Sequence, residues 1–465
     1  MCSYTRFFSN DTKKRLYVFL FFICHSHAKR KKEVYVDKLI IESSPVLQGE
    51  ITVSGAKNAA LPILIASLLA AGNHTITNIP NLVDISSTLS LLGRIGAPSL
   101  REEGSNSVVI DTTRISFSEA PYDVVRKMRA SFLVLGPLLA RVGHARVSLP
   151  GGCAIGVRPV EQHIKGLEAL GASFVMKGGY IEGKVDELVG AHIHLDFPTV
   201  GGTENIMMAA VLARGITIID NAAREPEIVD LASYLRSMGA RISGDGTSRI
   251  EIDGVPALKV PSKPYVVMPD RIEAGTYILA AAMTKGTVRI KNVPVSDMVS
   301  FFEALRKTGC PFTLGDDWVE VTGDGILNGV SIETKPHPGF PTDMQAQWMA
   351  AMLKATGPSI VTEKIFENRF MHVAEMTRMG AEIQIHGNSA HIQPVHELFG
   401  TSVMATDLRA SASLILTALQ AEGRTELLRI YHLDRGYEDL VGKMKGIGAK
   451  IARVSANSDK MSVEL

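Results

Sequence analysis

The feature that most constrains this chain is a repeat. A Gly-Ala dipeptide, once Gly-Cys, closes an amphipathic stretch at Gly96, Gly171, Gly239, Gly309, Gly380 and Gly448, at intervals of 75, 68, 70, 71 and 68 residues. Self-similarity at a fixed period decides architecture before any motif does, because each unit buries its apolar face against its neighbours. Upstream of each dipeptide stands one grammar: a stretch of small and apolar residues with helical character, a Gly-centred turn, a β-branched strand, then a second helix. Asn58–Ala71 leads to His74-Thr75-Ile76-Thr77, Ile272–Thr284 to Gly286-Thr287-Val288-Arg289-Ile290, and Arg409–Gln420 to Gly423–Leu428. The first helices are full of Ala, Ser and Met, which predicts that they lie inside a domain with no face in water. The second helices, predicted over Val160–Leu170, Ile228–Met238 and Tyr437–Ile447, are more amphipathic and should form outer walls.

Six α/β units of this size favour two pseudo-symmetric domains of three units over one very large domain. The period is longer than the roughly 33–45 residues of a helical solenoid. A doubly wound sheet is also disfavoured: GxGxxG and the full Walker pattern GxxxxGK[ST] are absent, and Gly323-Asp324-Gly325 reads as a hairpin turn.

Charge excludes further classes. In 465 residues, 49 basic side chains nearly cancel 48 acidic ones, leaving +1. Neither nucleic acid nor a membrane is expected as a partner, and an anionic ligand must be held by a local cluster. Four cysteines, Cys2, Cys24, Cys153 and Cys310, are too few and too scattered for a disulfide framework or a CxxC zinc site, which favours a reducing compartment.

The first 35 residues read differently from the rest. Lys13, Lys14 and Arg15 precede the apolar run Leu16–Cys24, and Lys29–Lys32 follow. That run is far short of the roughly 20 residues of a spanning helix. It fits the apolar region of a signal peptide, although the basic stretch after it opposes translocation. The preferred reading is a start at Val36 or Val34, with a disordered N-terminal extension as the alternative. The first clean strand pattern begins at Val36-Asp37-Lys38-Leu39.

The repeats also mark where chemistry should gather. At the starts of the small-residue helices stand Lys57-Asn58, Arg129, Glu204-Asn205, Asp270-Arg271, Thr342-Asp343 and Asp407-Arg409. Converging helix N-termini make an anion-binding field. Ordinary caps and ion pairs are the competing explanation, especially for Asp270 and Asp407. A lysine or arginine in a first turn opposes the helix dipole, so its recurrence across units suggests a ligand that offsets the cost.

Between Leu149 and Pro159, three glycines surround one cysteine in Pro150-Gly151-Gly152-Cys153-Ala154-Ile155-Gly156-Val157-Arg158. Such a loop can approach a ligand closely, and Arg158 could lower the thiol pKa while binding an anion. Cys310, in the Gly-Ala slot of its repeat, reads as a packing residue. Arg369 and Arg435 occupy matching strand-to-helix turns of the last two units, where each would face a cleft. His192, His194 and Asp196 alternate on one strand, but with no further ligand nearby an exposed sheet face is expected rather than a metal site.

Four segments carry a resemblance: Ser54-Gly55-Ala56-Lys57-Asn58-Ala59-Ala60, Pro150-Gly151-Gly152-Cys153, Phe340-Pro341-Thr342-Asp343-Met344-Gln345-Ala346-Gln347 and Asp407-Leu408-Arg409-Ala410. They closely resemble the UDP-N-acetylglucosamine 1-carboxyvinyltransferase family, from about Val36 to the C-terminus. The resemblance implies two inside-out α/β barrel domains, each of three repeats of about 70 residues. The first domain would be 57–267, and the second, discontinuous, 36–56 plus 268–465. It implies transfer of the enolpyruvyl group of phosphoenolpyruvate to the 3-hydroxyl of UDP-N-acetylglucosamine (UDP-GlcNAc), with release of phosphate, as the first committed step of peptidoglycan synthesis in the cytoplasm. No cofactor or metal is implied.

By resemblance, Cys153 is the general acid toward C3 of phosphoenolpyruvate and would be alkylated by fosfomycin. Asp343 is the base on the sugar hydroxyl, with Glu227 the alternative. Lys57, Arg158 and Arg435 would hold the phosphate and carboxylate, Lys57 and Arg435 also acting in catalysis, with Arg369 and Arg409 completing the shell and Asn58 beside them. UDP-GlcNAc would meet Asn58, Arg129, Arg158, Pro159, Val160, Glu161, Gln162, Thr199, Val200, Gly201, Asp343 and Ile365. Where some relatives carry lysine two residues before the threonine, this chain has Phe197, so no charge contact to the diphosphate is expected there. The shikimate-pathway enolpyruvyl transferases share the fold but lack the Gly-Gly-Cys loop. A non-catalytic UDP-GlcNAc-binding paralogue is the reading from another class, disfavoured by Cys153, Asp343 and the arginines.

Overall fold

The computed structural model describes residues 37–115, 119–120, 129–149 and 160–455. The expectations placed on residues 1–35 and on the loop 150–159, Cys153, Arg158 and Pro159 included, lie outside the described residues.

Among the described residues, six four-stranded sheets share one plan. A short strand runs parallel to a central strand, which pairs antiparallel with a second central strand, itself antiparallel to an edge strand. His192–His194, Ile216–Asp220, Arg249–Asp253 and Arg241–Ser243 follow this order. So do Ile332–Glu333, Ser359–Thr362, Ser389–Gln393 and Glu382–His386. A parallel pair needs a crossover, and the small-residue helix supplies it: Val200–Ala210 in the first of these sheets, Gln345–Met352 in the second. The antiparallel arm of the second sheet turns at Gly387, whose φ of 59° suits a tight hairpin.

Two units exchange their first strands. Gly49–Thr52 precedes Asn73–Thr77 in the chain but pairs with Lys285–Lys291, while Asn73–Thr77 takes Tyr265–Val266 as its parallel neighbour. Lys38–Glu42 likewise joins Arg424–Leu428 and Ile451–Val454. Two separate apolar cores result. One runs through residues 56–267, and the other joins 39–53 to 272–451.

Each core is filled by three of the small-residue helices: Lys57–Ala66, Leu135–Val142 and Val200–Ala210 in one, Arg271–Ala282, Gln345–Met352 and Leu408–Gln420 in the other. They are buried on nearly every face, which small side chains permit by letting backbones approach. A Cβ on Gly136 would lie 2.4 Å from the Asn205 carbonyl oxygen, so no side chain fits at that crossing.

The outer helices form, with shifted bounds: Glu161–Ala169, Pro226–Ser237 and Leu440–Gly446. Tyr437 is not on an outer wall. It lies before its helix and is buried, with its hydroxyl 2.9 Å from Thr276 Oγ1 and accepting from Gln347 Nε2 at 3.2 Å. Gly323-Asp324 is not a hairpin turn either, since it extends the strand Trp318–Asp324 opposite Gly286 and Lys285. Glycine is needed there because a Cβ at 323 would sit 2.2 Å from the Thr284 carbonyl oxygen. Cys310 is buried, and burial pushes its thiol up to about 11, so it is a packing residue without a ready thiolate.

Candidate active site

Three cations occupy the first turns of inner helices, where the macrodipole disfavours them. Lys57 and Arg271 are the first residues of their helices and Arg409 the second of its own. Each faces a carboxylate brought from another element. Lys57 Nζ lies 3.5 Å from Asp84 Oδ2. Arg271 grips Glu227 through two bonds, at 3.1 and 3.2 Å. Arg409 Nη2 donates to Asp343 Oδ2 at 2.8 Å, and Arg369 Nη2 donates to Asp343 Oδ1 at 2.6 Å. The ligand-facing charges inferred from the repeat are therefore interleaved with acids.

Two of these networks join the cores. Asp84, on the helix Val83–Ile95 of the first core, accepts from Arg435 Nε at 2.9 Å and Nη2 at 3.3 Å, and Arg435 closes the turn Ile430–Arg435 of the second. Glu227, in Pro226–Ser237, reaches Arg271 across the same seam. Lys57 feels the charges of Asp84, Arg409, Asp343 and Arg435, and Arg271 those of Glu227 and Asp343. The site thus forms one electrostatic cluster at the seam.

The environment tunes the groups. Burial alone would raise the Asp343 pKa, but the guanidiniums of Arg409 and Arg369 outweigh it and hold the carboxyl well below the usual carboxylate range. Burial pulls the Lys57 ammonium down from its ordinary value, and Asp84 opposes that. Arg409 is 4% exposed, and its Nη1 is buried with no hydrogen-bond partner among the described residues. A buried guanidinium N–H left open beside a carboxylate is a donor waiting for an anion. Asp270 and Asp407 serve as ordinary N-caps, accepting from Ile272 and Glu273 and from Arg409 and Ala410 respectively.

The residues expected at the sugar nucleotide form a second group. Thr199 caps Val200–Ala210 through Gly202 N–H, with Val200 and Gly201 in its first turn. Val160, Glu161 and Gln162 start the adjacent helix, and Gln162 Nε2 donates to Asp196 at 2.6 Å. Among the described residues, no direct hydrogen bond joins these two helix starts to Asp343 or Lys57. Arg129 opens the turn Arg129–Val134, but its side chain lies outside what the structure describes. Asn58 follows Lys57 in the same first turn, half-buried. Ile365 is 36% exposed, and its N–H is held by Glu363 Oε1 at 2.7 Å. Phe197 is 45% exposed beside the Thr199 cap. His192 pairs with Asp220, and Asp196 is held by Gln162 and Lys165.

Sequence reasoning missed Asp84 and Glu363. An acid in a helix's first turn is ordinary, so Asp84 carried no signal until Lys57 and Arg435 met on it. Replacing Asp84 by asparagine removes the charge that supports Lys57 and so lowers the Lys57 pKa further. We expect the alkaline limb of turnover to move to lower pH, with at least about tenfold lower kcat/KM for the anionic substrate. A pH–rate profile unchanged from the parent would contradict this.

Comparison with known proteins agrees with the geometry. The model of the family EPSP synthase (3-phosphoshikimate 1-carboxyvinyltransferase) matches residues 41–444. The enolpyruvyl transferase NikO from Streptomyces tendae superposes with a TM-score of 0.82 at 25% identity, over 90% of this chain and 99% of that one. EPSP synthase from Acinetobacter baumannii shares the fold, with a TM-score of 0.70 at 17% identity over 90% of this chain and 100% of that one. The class defined by fold and site is that of the enolpyruvyl transferases. UDP-N-acetylglucosamine 1-carboxyvinyltransferase from Geotalea uraniireducens is 53% identical, over 90% of this chain and 100% of its own length. That from Desulfovibrio desulfuricans is 54% identical, over 90% and 99%. The chain belongs to the UDP-N-acetylglucosamine 1-carboxyvinyltransferase family.

Proposed function

We propose that this protein transfers the enolpyruvyl group of phosphoenolpyruvate to the 3-hydroxyl of UDP-GlcNAc and releases phosphate, opening peptidoglycan synthesis. The observation that carries the reading is the Nη1 of Arg409, without a partner among the described residues, beside Asp343 and within a largely buried set of cations that includes Arg369 and Lys57. Phosphoenolpyruvate is small and polyanionic, and such a set matches its phosphate and carboxylate.

In the addition step the sugar O3 bonds to C2 of phosphoenolpyruvate, its proton passes to Asp343, and C3 takes a proton from Cys153. In the elimination step C3 gives a proton back and the C2–O bond to phosphate breaks, leaving the enolpyruvyl ether. Held by two guanidiniums, Asp343 is a weak base. Phosphoenolpyruvate changes that, since its anionic groups share the positive field of Arg369 and Arg409, which stay in place, and so raise the proton affinity of the carboxylate as the acceptor is positioned. Lys57 and Arg435, with Arg158, neutralise the departing phosphate. Asn58, Arg129, Pro159, Val160, Glu161, Gln162, Thr199, Val200, Gly201 and Ile365 hold UDP-GlcNAc, the two adjacent helix N-termini favouring its diphosphate.

We assign the two cores to two domains, 57–267 and 36–56 plus 268–465, with the site at their seam. What supports this is the pairing of Lys38–Glu42 and Gly49–Thr52 into sheets of the second core. We take the partners to be these two small molecules rather than nucleic acid or a membrane, and the compartment to be the cytoplasm. Near-zero net charge and few cysteines support that assignment. No helix among the described residues is long and apolar enough to cross a membrane.

The test is phosphate release from phosphoenolpyruvate with UDP-GlcNAc and, separately, with shikimate 3-phosphate. Turnover with UDP-GlcNAc alone is expected. Turnover with shikimate 3-phosphate, or with neither acceptor, would overturn the reading.

A further inference from the structure

Glu363 is 2% exposed and directly follows the strand Ser359–Thr362. No lysine or arginine pairs with it among the described residues, yet four donors converge on its two oxygens. Thr334 Oγ1 donates to Oε1 at 2.9 Å, as do the backbone N–H groups of Ile365 at 2.7 Å and Phe366 at 3.1 Å. Thr342 Oγ1 donates to Oε2 at 2.8 Å. An ionised carboxylate offers about four acceptor sites, so this one is filled.

The Thr342 contact fixes a direction. A carboxylate only accepts and a guanidinium only donates. With its single proton committed to Glu363, the Thr342 hydroxyl must accept from Arg369 Nη1, at 2.7 Å. The other arm of the same guanidinium, Nη2, donates to Asp343 Oδ1. The Arg369 guanidinium also lies 5.1 Å from the centre of the Phe366 ring, whose N–H is bound to Glu363. One buried carboxylate therefore sets both sides of the arginine that touches Asp343, and it holds the backbone at Ile365.

We propose that Glu363 is a positioning residue: through Thr342 it orients Arg369 on Asp343, and through the Ile365 and Phe366 N–H groups it locks the acceptor-binding loop to that same arrangement. This rests on the reading above, in which Asp343 takes the proton of the acceptor. Proton acceptor and acceptor loop belong to different turns of the chain, and reaction needs them held together to within about an ångström.

Glutamine at 363 tests the direction. In place of Oε2 its NH₂ would point a donor at Thr342, whose hydroxyl would then compete with Arg369. Thr342→Val removes the relay but leaves Glu363 on the loop, and Thr342→Ser restores the hydroxyl. With Arg369 misaligned, Asp343 loses one of the cations that keep it ionised, so the acidic limb of kcat/KM should move to higher pH.

The experiment is phosphate release against pH for the parent, Glu363→Gln, Thr342→Val and Thr342→Ser, with thermal melts alongside. For Thr342→Val we expect the acidic limb to rise by about one pH unit. Its kcat should fall about 10²-fold, with little change in KM for UDP-GlcNAc. Glu363→Gln should show both effects and also raise that KM by about tenfold, as the loop loosens. Thr342→Ser should recover the parent limb. Parent limb and KM in both Thr342→Val and Glu363→Gln, or a lower melting temperature as the only change, would overturn the proposal. If Glu363→Gln does not fold, the Thr342 pair decides alone. A parent enzyme inactive with UDP-GlcNAc would instead strike the assigned reaction.

Discussion

Replacing Asp343 by asparagine is expected to lower kcat by about 10²–10⁴-fold, the worth of a positioned acid–base group, while UDP-GlcNAc still binds. The amide has one acceptor oxygen for two guanidiniums, so either Arg369 or Arg409 loses its partner. Breaking a buried pair costs about 3–5 kcal/mol. The true loss should be smaller, because 26% of the Asp343 side chain remains exposed and water screens it. Chemical denaturation measures that cost, calorimetry the UDP-GlcNAc affinity, and phosphate release the rate. Near-normal turnover would move the proton acceptor elsewhere. Glu227, the alternative from sequence, would then be the next group to replace; Arg271 holds both its oxygens, as Arg369 and Arg409 hold those of Asp343. The same pair predicts acid sensitivity. The native-state pKa of Asp343 is depressed, so its stabilisation is complete above the unfolded value of about 3.9 and lost as pH falls through the native value. The variant should lack that part of the acid transition.

Cys153 should give an equally large effect. Serine there removes an acid of suitable pKa and should abolish most turnover, about 10²–10⁴-fold. Aspartate restores a titratable acid, so Cys153→Asp should keep activity with an optimum at lower pH. A thiol that donates a proton becomes a thiolate, which is also a nucleophile. Fosfomycin, a small phosphonate epoxide, imitates the substrate phosphate. Ring opening by the thiolate forms a C–S bond, and the epoxide oxygen takes up a proton. Parent protein treated with fosfomycin and UDP-GlcNAc should gain one adduct mass at Cys153, and neither variant should. An active serine variant, or an unmodified parent, would remove Cys153 from the mechanism.

The six-unit plan was legible because burial leaves a periodic mark: helices with no wet face must be made of small and apolar residues, and each unit ends on a glycine that can take a positive φ, as Gly171 and Gly239 do at 102° and 103°. Lys57, Asp343, Arg409 and Arg435 were legible as candidates because a cation at a helix start runs against the dipole, or because short motifs carried them. Outer-helix bounds were less so, and Tyr437 was misplaced, because amphipathic spacing does not show which residue a neighbouring helix will cover.

Which acid meets which cation was not in the sequence at all. Asp84 and Arg435 are 351 positions apart, and Glu227 and Arg271 belong to different cores. Both pairs run between the two cores, which the chain links twice, through Gly49–Thr52 in a sheet of the second core and Tyr265–Val266 in a sheet of the first. By itself the sequence determined the local elements and the inventory of charges, since propensity and periodicity act over a few residues. Only the tertiary structure decided which charges neutralise one another, because Coulomb attraction depends on distance in space and on the burial that keeps water from screening it.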